Sequence, residues 1–223
     1  MVTFSVIKGY YVLNPDFRVY GHSMSPTLYS KSKIGGTRFF DIERHKIYMI
    51  NDDGIAESEA LKHPDGRYIK RIVALPGDTL TLELSTGNLL SLNGTPVSET
   101  RNENIKNHFV KSKLPVDEGK TLWMHGFTVS FGTENYETYR AQDGENVNSG
   151  VEGGFLKSIF SFPWMEKNAI NGIVKITLSD DQYFALSDNR VLGVDSRHFG
   201  PVTKSNIDFM FNGKVIQDGR GVK

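Results

Sequence analysis

Ser23 lies in Gly21-His22-Ser23-Met24-Ser25-Pro26-Thr27-Leu28, a small hydroxyl just ahead of a proline-stiffened turn. Further on, Tyr68-Ile69-Lys70-Arg71 sets a lysine inside an apolar strand pattern, where a charged amine is costly to hold. A serine needs a base, and a lysine serves as one only if its pKa falls well below about 10.4. Burial among Tyr68, Ile69, Ile72 and Val73 is the kind of setting that lowers it. Bringing Lys70 to about 8 costs roughly 3 kcal/mol at about 1.36 kcal/mol per unit, within what desolvation supplies. Alone, Ser23 reads as a turn residue and Lys70 as a surface strand residue. Together they read as a Ser–Lys hydrolase.

Other chemistries fit less well. His22 adjoins Ser23, but neighbours on an extended segment point to opposite faces, which argues against a histidine triad. His45, His63, His108, His125 and His198 stand in no nucleophile motif, and none has metal-ligand spacing such as His-Glu-x-x-His. No metal and no cofactor are expected. The chain has 0 Cys, which excludes disulfides and thiolate metal sites. Its 26 basic and 26 acidic residues balance, so no global field recruits nucleic acid, and no nucleic-acid partner is expected.

The elements that must hold these residues are strands. Segments 46–51, 68–75, 79–84 and 89–92 are short, apolar and flanked by turn formers. Leu80, Leu82 and Leu84 alternate with Thr79, Thr81 and Glu83, the pattern of a half-buried strand. Pro76-Gly77-Asp78 and Asn93-Gly94 mark turns. A second group of strands is expected at 172–178, 182–187 and 209–216. Between the groups the composition changes: residues 101–113 are polar and charged, and 140–154 are rich in Gly, Asn and acid. The expected organisation is a mainly β catalytic core from 1–99 and 172–223, with 100–171 as an inserted subdomain. Within the insert, 153–165 is strongly apolar and aromatic, and reads as a core strand or short helix, or as a loop dipping into a membrane interface. The N-terminal stretch, broken by Lys8, Asn14, Pro15 and Asp16, is too short and polar to span a bilayer, which takes about 20 apolar residues.

Three blocks together resemble type I signal peptidases. They are Ser23-Met24-x-Pro26-Thr27-Leu28; Tyr68-Ile69-Lys70-Arg71-Ile72-Val73-x-Leu75-Pro76-Gly77-Asp78; and Ser187-Asp188-Asn189-Arg190 with Asp195-Ser196-Arg197-His198-Phe199-Gly200-Pro201. The resemblance implies a signal-peptidase-like β core and a serine endopeptidase that removes signal peptides from exported preproteins at the membrane surface. It implies Ser23 as nucleophile and Lys70 as general base. Asp188, Asn189, Asp195 and Arg197 would be supporting residues, the last two an ion pair. Phe17, Val19, Met24, Leu28, Tyr68 and Ile69 would surround the pockets for small side chains before the cleaved bond. The implied place of work is the outer face of a bacterial cytoplasmic membrane, with lipid contact through the Tyr11–Val19 region or Phe155–Trp164.

Two positions depart from the family's best-known form. Gly21 stands where a serine helps hold the oxyanion, leaving that task to the Ser23 N–H and its neighbours. Gly193 stands where a serine hydroxyl usually orients the lysine, and Ser187 or Ser196 replaces it only if the backbone differs. On this reading Gly193→Ser should raise activity or leave it unchanged. The departures leave open a specialised peptidase maturing a pilin or conjugation protein, or a catalytically weakened β binding module.

Overall fold

The computed structural model describes residues 14–55, 66–106, 108–111, 121–131, 134–141 and 161–220. Its frame is a seven-stranded sheet ordered β1-β2-β15-β3-β4-β13-β14. These strands are β1 (Asp16–Arg18), β2 (Lys33–Thr37), β3 (Ile47–Asn51), β4 (Arg67–Ala74), β13 (Gln182–Leu186), β14 (Val202–Thr203) and β15 (Ile207–Gln217). All of the pairings are antiparallel. A second sheet, ordered β12-β5-β6-β7, is built from β5 (Thr79–Glu83), β6 (Asn88–Leu92), β7 (Thr95–Pro96) and β12 (Ile173–Thr177). The protein is mainly β, as the sequence implied.

The alternation in β5 does what its pattern requires. Leu80 and Leu82 are fully buried while Thr79, Thr81 and Glu83 are partly exposed. With Leu89, Leu92, Val174, Phe184 and Leu186 they form one core cluster. Phe162 and Met165 complete it from a short helix, α1 (Pro163–Asn168), and its cap. Trp164 packs on the same cluster, its ring 5.8 Å from that of Phe184. The part of the aromatic segment after residue 160 is therefore core and helix, while residues 153–160 lie outside the described residues, as do 11–13.

β4 is buried on both faces from Lys70 to Ala74, flanked by β3 on one side and β13 on the other. Its Tyr68 and Ile72 join Tyr48, Ile50 and Ala185 in a second cluster. A third sheet comes from β8 (Ser98–Arg101), β9 (His108–Lys111), β10 (Thr121–Phe131) and β11 (Glu134–Ala141). It meets the frame through main chain: the Tyr139 N–H donates to the Asp188 carbonyl at 2.9 Å, and the Arg190 N–H to the Tyr139 carbonyl at 2.9 Å.

Candidate active site

Ser23 lies in the turn between β1 and β2, and Lys70 in the middle of β4, reaching it from the sheet. Lys70 Nζ is 3.1 Å from Ser23 Oγ and donates to the Ile69 carbonyl at 2.8 Å. The lysine is only 2% exposed. Burial pulls its pKa from 10.5 down to about 8, opposed by the charges of Asp195 and Asp188 and assisted by that of Arg197. A neutral amine beside a serine hydroxyl is thus accessible near neutral pH. His22, by contrast, is exposed to solvent.

The segment after β13 holds the nucleophile turn. The Asn189 N–H donates to the Ser23 carbonyl at 2.8 Å, fixing the backbone of the serine itself. Asn189 Oδ1 accepts from the Val191 and Leu192 N–H groups, stiffening the loop that follows. Asp188 is fully buried and takes a two-pronged grip from Arg71, Nε to Oδ1 at 2.8 Å and Nη2 to Oδ2 at 2.5 Å. Thr27 Oγ1 donates to the same carboxylate at 2.5 Å, so Asp188 ties the nucleophile turn to β4.

Asp195 and Arg197 form an ion pair with neither side chain exposed. Asp195 caps the single-turn helix α2 (Ser196–Phe199) and accepts from the Arg197 N–H, from Arg197 Nε at 2.8 Å and Nη2 at 2.9 Å, and from the Ser187 N–H at 2.9 Å. Burial alone would raise the Asp195 pKa. The Arg197 charge and these hydrogen bonds hold it well below the usual carboxylate range.

Beside the dyad is a cavity of about 310 Å³ lined by residues of β1 and the first half of β4. Phe17, Val19, Tyr68 and Ile69 line it with Ser23 and Lys70. Met24 and Leu28 do not. At 1% and 2% exposed they pack behind it with Val19, Ile34 and Ile47, as core rather than as pocket wall. The wall instead includes Met49 and the polar residues Asp16, Arg18 and Arg67, which the sequence reading did not name.

The sequence matches the family described as signal peptidase, peptidase S26, over residues 1–215. The chain belongs to the signal peptidase family. It is a serine peptidase that removes signal peptides. Among its relatives, Signal peptidase I of Buchnera aphidicola is 27% identical over 90% of this chain and 67% of the relative. Signal peptidase I V of Bacillus subtilis is 27% identical over 86% of this chain and 80% of the relative. A crystal structure of a signal peptidase I from Enterococcus faecalis V583 is 19% identical over 77% of this chain and 97% of that chain, with a TM-score of 0.35.

The two glycines that depart from the peptidase family's usual form behave differently. Gly21 has φ +74°, and a Cβ built on it meets nothing within 4 Å. The space would accept a serine, but the left-handed backbone disfavours any side chain. At Gly193 the backbone is ordinary and the space is missing. A Cβ there would lie 1.8 Å from Ser187 Oγ and 2.1 Å from Ser187 Cβ. The expectation that Gly193→Ser is harmless is therefore corrected: Ser187 already fills the volume.

Arg71 and Thr27 are the supporting residues the sequence reading missed. The signal was present in the alternation of β4, because Arg71 must face opposite to Lys70, where a buried guanidinium requires a carboxylate.

Proposed function

We propose that Ser23 is the nucleophile and Lys70 the general base of a signal peptidase acting on exported preproteins. The observation that carries the reading is the 3.1 Å approach of a desolvated lysine to the serine hydroxyl. In acylation the Ser23 Oγ–H proton passes to the Nζ lone pair as Oγ bonds to the scissile carbonyl carbon. The carbonyl oxygen becomes an oxyanion, held by the Ser23 N–H and its neighbours. Collapse breaks the C–N bond, and the Lys70 ammonium returns its proton to the leaving amine. Water then attacks the acyl-enzyme with Lys70 again the base, releasing Ser23.

The apolar walls of the cavity, Phe17, Val19, Tyr68 and Ile69, support a preference for apolar side chains such as alanine before the cleaved bond. Asp188, Asn189, Asp195 and Arg197 act as scaffolding that holds turn and strand together. The division into a core of 1–99 and 172–223 with 100–171 inserted belongs to the same proposal, supported by the separate sheet that β8–β11 forms; the end of the insert, α1 with Phe162, packs instead on the core cluster. Work at the outer face of the cytoplasmic membrane belongs to the proposal as well. Among the described residues no helix is long and apolar enough to cross a membrane, and Tyr20, 62% exposed on the rim of the cavity, is an apolar group free to meet lipid. The test is cleavage of a purified preprotein in detergent. Wild type should release the signal peptide and Ser23→Ala should not; cleavage by Ser23→Ala would overturn the assignment.

A further inference from the structure

Lys70 as a base has a hydrogen-bond count that does not close. A neutral amine carries two N–H donors and one lone pair. Facing Ser23 Oγ–H, the lone pair takes the hydroxyl proton. The Ile69 carbonyl accepts one N–H at 2.8 Å. The second N–H has no acceptor among the described residues. Nearby, the count fails in the opposite sense. Ser187 is fully buried, and its Oγ has no hydrogen-bond partner among the described residues.

The sheet brings these two deficits together. β13 pairs antiparallel with β4, with Ala185 opposite Ile72 and Leu186 opposite Arg71. One further step in that register sets Ser187 opposite Lys70. Directly opposed residues share a face of the sheet, with Cβ atoms about 4.5–5.5 Å apart. The face is checked two residues along, where Ile72 and Ala185 pack in the same core cluster. Behind Ser187, Gly193 leaves the volume the serine occupies, since a Cβ there would fall 1.8 Å from Oγ. The Ser187 N–H is anchored to Asp195 at 2.9 Å, which fixes the residue carrying the hydroxyl.

We propose that Ser187 is a positioning residue for Lys70: its hydroxyl accepts the amine's second N–H and so turns the lone pair onto Ser23, and Gly193 is glycine to make room for it. In this chain the orienting hydroxyl is therefore expected from the end of β13, and not from the loop position where the resemblance would look for it. The charged groups facing Lys70 are Asp195 and Asp188 from the segment after β13 and Arg197 from α2. None of them replaces a short-range acceptor for this hydrogen.

The inference rests on the Ser–Lys reading and is tested separately from it. Preprotein cleavage is measured across pH for wild type, Ser23→Ala, Ser187→Ala and the exchange Ser187→Gly with Gly193→Ser. Activity in Ser23→Ala would fail the dyad reading itself. Ser187→Ala should lower kcat by about 10- to 100-fold, the scale of a misaimed catalytic group, with KM within about twofold of wild type. Its acid limb should move to lower pH, because an acceptor that favours the ammonium has been removed. The exchange should recover most of the lost kcat by returning the hydroxyl from the other side, whereas Gly193→Ser alone should be impaired. Unchanged kcat and pH profile in Ser187→Ala would overturn the proposal. So would a fall of kcat with a rise in KM, a lower melting temperature and the acid limb unmoved, which would make Ser187 a packing residue only.

Discussion

Lys70 and Arg71 are consecutive residues of one strand, both buried, and the fold treats their charges in opposite ways. Arg71 faces a carboxylate that answers it atom for atom, with Asp188 taking both prongs at 2.8 and 2.5 Å. Lys70 meets a hydroxyl and a carbonyl but, among the described residues, no carboxylate within ion-pair range. A paired buried charge stays charged, and an unpaired one drifts toward neutrality. The side of β4 on which a cation falls thus decides whether it becomes scaffold or base. Alternation in the strand keeps the two functions one residue apart without mixing them.

The comparison can be broken at several points. The largest effect is expected from Lys70→Ala, which should cut preprotein cleavage by at least ~10²–10⁴-fold, the share of a general base, while circular dichroism stays native. More than about a tenth of wild-type kcat would mean that the unpaired lysine is not the base. On the paired side, Asp195→Ala strands Arg197, which is wholly buried, and should destabilise the fold by about 3–5 kcal/mol. Denaturant unfolding would measure it, and a loss below about 1 kcal/mol would show that Arg197 finds water or another partner.

Lys70→Met should do the reverse. The folded pKa of about 8 against 10.5 makes the wild-type lysine cost about 3 kcal/mol at about 1.36 kcal/mol per unit. The sign follows from proton counting. Between pH 8 and 10.5 the unfolded chain binds more protons, so wild-type stability rises with pH there. The handicap is complete below about pH 8 and gone near 10.5. The methionine variant should therefore melt higher at pH 7, with the gap closing toward pH 10.5, and a gap independent of pH would assign it to packing. Through the same titration, wild-type activity should rise as pH passes about 8. The smallest effect is expected at Thr27→Val, which removes one donor from Asp188 but leaves the Arg71 grip, for about 1 kcal/mol of stability and little change in kcat.

What the sequence made legible follows from the same alternation. Segments 46–51, 68–75, 79–84, 89–92, 172–178, 182–187 and 209–216 all appear as strands within a residue or two, because each carries its own apolar pattern and turn signals. β2 was not legible. Its Gly35 and Gly36 present no side chain to read, and they are glycine for contacts from the strands on either side: a Cβ on Gly36 would lie 2.7 Å from the Phe17 ring of β1, and one on Gly35 2.9 Å from the Asn212 side chain of β15. β10 was passed over although Phe127, Val129 and Phe131 alternate with Thr128 and Ser130, because that pattern stands among polar and charged stretches and its partners β8, β9 and β11 all lie close by in the sequence. Within the site, Ser23 and Lys70 were legible as residue types with a chemical need. Arg71's need of a carboxylate was legible in β4, but that Asp188 answers it was not, because the pair spans more than a hundred residues; the Ser187–Gly193 contact was not legible because only packing defines its volume. Met24 and Leu28 were misplaced because pocket wall and buried core look alike in a string of apolar letters.

The order of strands in the main sheet bears on when the enzyme can exist at all. β15, the last strand of the chain, lies between β2 and β3, and the Asn189 N–H that holds Ser23 comes from the last fifth of the sequence. Ribosomes deliver the N-terminus first, so Ser23 and Lys70 emerge long before the segments that join them. A nascent chain carries both halves of a peptidase and the activity of neither. Delivery of that later segment thus acts as the safety catch, and a chain cut before residue 187 should leave a preprotein uncut however long the two are mixed.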